Sequence, residues 1–314
     1  MTLAEVIDAY VTLQQSLGMR FDAARKLLRQ FSREMGNPDI DKVQAAAVAD
    51  FLRGTGALSA TWALKYRVLS GFYKFAISRG HADGSPLPTN LPKLPPQQSP
   101  YVYSTDELRR LLDATSAPFV GDHRLPAPMY RVLLLLLYGS GLRIGEALKL
   151  TLRDVDLIDQ IITVRDTKFF KTRLVPIGPK LVQELAVHLQ HRGQLPLPEG
   201  SGSSLFATRA GRTWLYQHVI TRFQHIRRAA GIECPAGECR PPRLHDLRHT
   251  AAVHRVLAWY RSGRDVQRLL PQLATYLGHV DIKSTQRYLQ MTPELLQEAS
   301  QRFARYSQWE GGHE

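Results

Sequence analysis

Apolar positions recur at helical spacing through the first eighty residues. Leu3, Val6, Ile7, Tyr10, Val11 and Leu13 form one stripe, and Ala24, Leu27, Leu28 and Phe31 form a second. Phe51 and Leu52, then Leu64, Val68, Leu69, Phe72 and Phe75, predict further helices. The periodicity stops at residues 84–100, GSPLPTNLPKLPPQQSP, where prolines remove backbone donors and fix an extended connector. Beyond it the texture changes. Residues 105–114 predict a helix, with Ser104 or Thr105 placed to cap it and Glu107 following. Residues 128–138 predict a buried helix, and Gly139 and Gly141 allow a tight turn before a new helix from about Ile144. Residues 161–165 and 173–177 read as two short strands around a hairpin at 166–172. From Pro179 the pattern is helical almost to the end, interrupted by a Gly/Ser loop at 200–204. The expected fold is mainly α with a small β-sheet. Its expected parts are a helical domain over 1–90, a proline-rich linker over 91–101 and an α+β domain over 102–314.

Composition narrows the function. A chain of 314 residues with 44% hydrophobic content can bury two cores and is not disordered. Lys and Arg outnumber Asp and Glu by 41 to 28, a net charge of +13. Such an excess points to a polyanionic partner, because phosphates release counterions when cations neutralise them. Both parts share it: residues 1–95 hold 12 basic and 8 acidic residues, the remainder 29 and 20. The strongest apolar run, residues 132–138, is far too short to span a bilayer. Residues 1–17 do not read as a secretory leader, and with only two cysteines in the chain a cytoplasmic setting is expected. Cys234 and Cys239 are the only cysteines, which argues against a disulfide framework, and zinc would require two further ligands. No metal or cofactor is expected.

Five segments carry groups able to act on a phosphodiester. SGLRIGEAL places Arg143 at a helix start, where a guanidinium can grip two phosphate oxygens, with Glu146 three residues on to orient it. The hairpin DTKFFKTRLVPI carries Lys168, Lys171 and Arg173, and an ammonium on its tip could protonate a leaving 5′ hydroxyl. LHDLRHT sets His245 and Arg248 three apart, on one helical face, as a proton carrier and a second clamp. His245 and His249 lie four apart like a metal pair, but Asp246 stands where zinc peptidases need Glu. YLGH places His279 after Gly278 at a helix end, and STQRYLQ puts Tyr288 nine residues later. In the first part, Lys65, Arg67 and Lys74 lie off the apolar stripe, where they could track a DNA backbone. Each segment alone has a plainer reading: a surface ion pair, a charged turn, a capping histidine or an amphipathic tyrosine.

The ordered set is more specific than its members. Arg143, Lys168, His245-x-x-Arg248, His279 and Tyr288, with their flanking sequences, resemble the signature of the tyrosine recombinase (phage integrase) family. The resemblance implies a helical core-binding domain followed by a catalytic domain, closing on duplex DNA. It implies that Arg143 and Arg248 neutralise the scissile phosphate and that Lys168 protonates the 5′ oxygen. His245 would assist as acid or base, His279 would bond the phosphate, and Tyr288 would attack. The product would be a 3′-phosphotyrosyl enzyme. Lys65, Arg67, Lys74, Lys171 and Arg173 would contact DNA. Implied partners are double-stranded DNA bearing specific recombination sites, further copies of the chain forming a tetramer on it, and partner recombinases in some members. Phe169 and Phe170 replace the small turn residues common between the hairpin lysines, and Lys168 is preferred over Lys171 from its position relative to RLVPI. The stretch between Arg248 and His279 is longer than usual and resembles recombinases of transposable elements. A DNA-binding accessory without catalysis and a type IB topoisomerase-like relaxase are the alternatives.

Overall fold

The computed structural model describes residues 1–95, 100–118, 126–165, 172–195, 197, 200–208, 210–233, 240–279, 283–286, 297, 298, 300 and 301. Two compact units divide the chain, Met1–Gln98 and Ser99–Glu314.

Among its described residues the first unit has four α-helices, α1 (Leu3–Ser16), α2 (Asp22–Glu34), α3 (Ala45–Arg53) and α4 (Ala60–Ser78). At the start of α1, Glu5 Oε2 accepts from the Thr2 amide at 2.9 Å while Thr2 Oγ1 accepts from Glu5 N. Leu3, Val6, Ile7, Leu28, Phe31, Val48, Leu52, Leu69, Phe72 and Ala76 are at most 2% exposed and form one core. Burying each large side chain contributes roughly 1.5–3 kcal/mol. Leu64, expected on the buried stripe of α4, is 50% exposed. The face that packs is Leu69, Phe72, Tyr73 and Ala76, one turn further on.

The second unit is built around α6 (Ala127–Ser140), which buries Tyr130, Leu133, Leu134, Leu136 and Leu137. It follows α5 (Thr105–Asp113), whose cap is Ser104: Oγ accepts from Glu107 N at 3.1 Å and Glu107 Oε2 accepts from Ser104 N at 2.8 Å. The helix expected from Ile144 is only one turn, α7 (Ile144–Ala147). A three-stranded antiparallel sheet follows, in the order β1 (Val155–Asp156), β2 (Ile161–Val164) and β3 (Arg173–Pro176). Ile162 faces Val175 and Val164 faces Arg173. β1 is two residues long, too short to leave an alternation in the sequence.

Beyond the sheet lie α8 (Pro179–Gly193), α9 (Tyr216–Ala229), α10 (Asp246–Arg261), α11 (Val266–Leu277) and the short α12 (Lys283–Gln286). Between α8 and α9 the chain is irregular well past residue 204, contrary to the helical expectation. There Leu205, Phe206, Ala207 and Trp214 are buried in the core, and bridges join Thr151 to Ser204 and Ala207 to Thr213. α10 and α11 share a smaller core through Val253, Val256, Leu270, Leu273 and Leu277. Residues 297, 298, 300 and 301 are helical, and Glu298 accepts from Arg261 of α10 at 2.9 Å. Among the described residues no helix is long and apolar enough to cross a membrane.

Candidate active site

The turn after α6 places Arg143. Gly141 sits at φ +62°, and a Cβ there would fall 2.7 Å from Leu277 Cδ2, so the position requires glycine. Arg143 then caps α7. Its amide donates to Glu146 Oε2 at 2.9 Å and its Nη1 to Glu146 Oε1 at 2.8 Å. Its Nη2 donates to the Gly278 carbonyl at 3.2 Å, and 40% of the side chain stays exposed. Glu146 has a second cation: Arg173 Nη2 reaches Oε2 at 2.8 Å and Nη1 reaches Oε1 at 3.1 Å. Burial alone would raise the Glu146 carboxyl, but hydrogen bonds from Arg173 and the Arg143 amide overcome it and hold it at about 2.

α10 supplies the next groups, and its N-terminus is firmly tied. Buried Asp246 accepts from the Arg243 amide at 2.7 Å and from Arg243 Nη2 at 2.8 Å. Thr250 Oγ1 donates to the Asp246 carbonyl at 2.8 Å and accepts from the Tyr103 amide at 3.0 Å. His245 and Arg248, expected on one helical face, differ in exposure. His245 is the exposed cap residue of the helix, whereas Arg248 is 2% exposed. Arg248 donates to the Gly141 carbonyl and to the Leu277 carbonyl, each at 2.6 Å. Partial desolvation, then the charge of Arg248, lowers the His245 pKa. The His249 ring stands edge-on to His245 at 5.0 Å, and burial with the His245 charge pushes its pKa down to about 3.

The two guanidinium groups therefore grip consecutive carbonyls, Leu277 and Gly278, immediately before His279. Gly278 ends α11 at φ +68°, turning the chain so that His279 Nδ1 meets the fully buried Thr285 hydroxyl of α12 at 2.8 Å. Burial, then the charges of Arg248, Arg143 and Arg173, lowers the His279 pKa to about 4. Four groups spread over 137 residues, Arg143, His245, Arg248 and His279, thus meet at one place.

Lys168, Lys171 and Tyr288 lie outside the described residues, as do Cys234 and Cys239. Two cations expected on DNA face elsewhere. Arg173 is turned inward, with 12% of its side chain exposed. Its strand explains this: alternation puts Arg173 on the face of Val175, which is fully buried, while Leu174 between them is 60% exposed. Lys65 donates to the Phe51 carbonyl at the end of α3 and lies 4.3 Å over the Phe51 ring. Arg67 and Lys74 are exposed on α4. Thr285 and the inward role of Arg173 were missed in the sequence. For Arg173 the strand alternation was the available signal.

Residues 102–294 match the model of the phage integrase family. The chain is 32% identical over 312 residues to the putative integrase/recombinase y4rB of Sinorhizobium fredii, covering 98% of each chain. The chain belongs to the phage integrase family. It is also 30% identical over 334 residues to the tyrosine recombinase XerD of Mycobacterium tuberculosis, covering 99% of this chain and 98% of that one. Among solved structures, the Tn1549 transposon integrase in complex with a circular intermediate DNA shares the fold. Its TM-score is 0.69 at 17% identity, covering 96% of this chain and 99% of that one. A lambda integrase dimer bound to a core site aligns at TM-score 0.66 and 17% identity, over 92% and 95%.

Proposed function

We propose that this chain is a site-specific DNA recombinase that cleaves and rejoins duplex DNA by transesterification through Tyr288. The observation that carries the reading is the meeting of Arg143, His245, Arg248 and His279 around the carbonyls of Leu277 and Gly278. In the reaction the Tyr288 oxygen bonds phosphorus as the bond to the 5′ oxygen breaks. The phenolic proton leaves to a base, and Lys168 supplies one to the departing 5′ oxygen, which becomes a hydroxyl. One phosphoester replaces another, so bond energy is kept and no nucleotide is consumed. Arg143, with its tip partly exposed, meets the phosphate directly, and buried Arg248 adds positive potential from behind the turn. His279 is neutral near pH 7. If the Thr285 hydroxyl donates to Nδ1, the proton sits on Nε2, the tautomer that donates to a phosphate oxygen.

Under this reading the first unit binds DNA, with Arg67 and Lys74 of α4 on the backbone, and four copies assemble on two matched sites. The protein acts in the cytoplasm. The long path from Arg248 to His279, which holds most of α10 and all of α11, favours service to a mobile element.

The test uses nicked suicide duplexes covering both ends of the DNA segment that carries the gene, with EDTA present and denaturing gels as readout. Wild type is expected to form a covalent adduct that Tyr288→Phe abolishes. A duplex bound tightly with no adduct would overturn the reading in favour of a DNA-binding accessory. Adduct formation and relaxation on any duplex, without a preferred site, would favour a relaxase.

A further inference from the structure

Arg173 is a largely covered charge that the reaction as described does not use. Three observations define its surroundings. It makes a two-pronged ion pair with Glu146, at 2.8 and 3.1 Å, and Glu146 holds Arg143 at both its amide and its guanidinium. It packs against Gly278, where a Cβ would fall 2.8 Å from Arg173 Nη1 and 2.9 Å from Cζ. It also begins β3, five residues after Lys168 in the sequence. Glu146 and Arg173 each keep only 12% of their side chains exposed, so neither is available to DNA in this arrangement.

We propose that Arg173 is a positioning residue: by clamping Glu146 on one side and seating the Gly278 turn on the other, it sets the orientation of Arg143 and the placement of His279. The inference rests on the recombinase reading for its consequence in catalysis, but the link itself is a matter of geometry. A guanidinium is planar and can hold both carboxylate oxygens at once, leaving those oxygens fixed for Arg143. With Arg173 removed, Glu146 keeps only its bonds to Arg143 itself, and the pair loses its anchor on β3. The same planar group is what fills the space beside Gly278. That close approach explains why the residue before His279 lacks a side chain, in addition to its φ of +68°. The chain geometry therefore couples the Arg143 turn and the His279 turn through one side chain.

Arg173→Gln and Arg173→Lys would be compared with wild type for DNA affinity, thermal midpoint and single-turnover cleavage of the suicide duplexes above. The expected result is a drop in cleavage of 100-fold or more for Arg173→Gln, with affinity within about threefold. Arg173→Lys, which keeps one charged contact to Glu146, should recover part of the rate. A positioning role further requires that Arg173→Gln cost less in a Glu146→Gln background than in wild type, because the part of its role that runs through Glu146 and Arg143 is already lost there. Cleavage by Arg173→Gln within threefold of wild type would overturn the proposal. So would losses in the double variant that multiply, or affinity and thermal midpoint falling in step with the rate. A second arm needs no cleavage: the side-chain Nε–H resonance of Arg143, assigned with Arg143→Lys, is followed by NMR in the free protein. It should shift and exchange faster with solvent in both Arg173 variants, and an unmoved resonance would refute the link. Should wild type form no adduct while this resonance responds, the recombinase reading fails and the positioning link stands.

Discussion

At the scale of single residues, the site is a set of cations held close together by backbone carbonyls and one carboxylate. Burial and, after it, the charges of neighbouring cations hold the histidine pKa values down, to about 4 for His279 and about 3 for His249. A histidine whose folded pKa is lowered leaves stability untouched above its unfolded value of about 6.5. As pH falls below that value, the unfolded chain takes up protons first and stability drops, until the folded pKa is passed. Glu146 acts in a lower window: its lowered pKa contributes stability that is complete above about 4.5 and is lost as pH falls towards 2. Urea midpoints measured at pH 7, 5.5 and 4.5 should therefore fall steadily for wild type. His279→Gln and His249→Gln should each show a shallower fall over the same window. Parallel curves for variants and wild type would contradict the burial and charge crowding that lower these groups.

At the scale of elements, the site depends on two tight turns, each with a left-handed glycine. Gly141 ends α6 and offers its carbonyl to Arg248, and Gly278 ends α11 and offers its carbonyl to Arg143. Gly141→Ala places a Cβ 2.7 Å from buried Leu277 in a conformation that disfavours alanine. It should destabilise the fold by about 1–3 kcal/mol and lower cleavage through Arg248. Gly145→Ala is the control, since it lies within helix α7 and a Cβ there meets nothing within 4 Å. It should be neutral or stabilising by up to about 1 kcal/mol. Thermal melts of the two variants distinguish a turn requirement from a general sensitivity of this segment. The spacing of Gly139 and Gly141 in the sequence announced a turn, but only the packing of α11 against it reveals which glycine cannot be replaced.

At the scale of the molecule, a net charge of +13 on two units sets the strength of DNA binding and its response to salt. Each phosphate neutralised adds about 0.9 to the magnitude of the slope of log K against log salt. Replacing Arg67 and Lys74 together by alanine should reduce that magnitude by up to about 2. Lys65→Met should leave the slope alone and lower stability by roughly 1 kcal/mol, since its ammonium caps the Phe51 carbonyl. Fluorescence anisotropy titrations at three salt concentrations check both. A slope that falls for Lys65→Met instead would put that residue, not its neighbours, on DNA.

The sequence by itself determined the family, the mainly helical character and the separation of two parts at the proline-rich stretch. These depend on local periodicity, turn chemistry and an ordered set of reactive side chains, all of which are written in the order of residues. It also determined which residue types could act on a phosphate. The tertiary structure decided which way they face. His245 and Arg248 share a helical turn, yet one is exposed and the other buried, because α10 packs its inner side against the turns at Gly141 and Leu277. Arg173 and Lys65 read as surface cations until their neighbours are in place: one is drawn inward by Glu146, the other by a helix-end carbonyl. Charge is a property of the residue, but the environment that directs it comes from segments distant in the chain. For that reason the contacts of Arg143, Arg173 and Gly278 could be read only from the folded molecule.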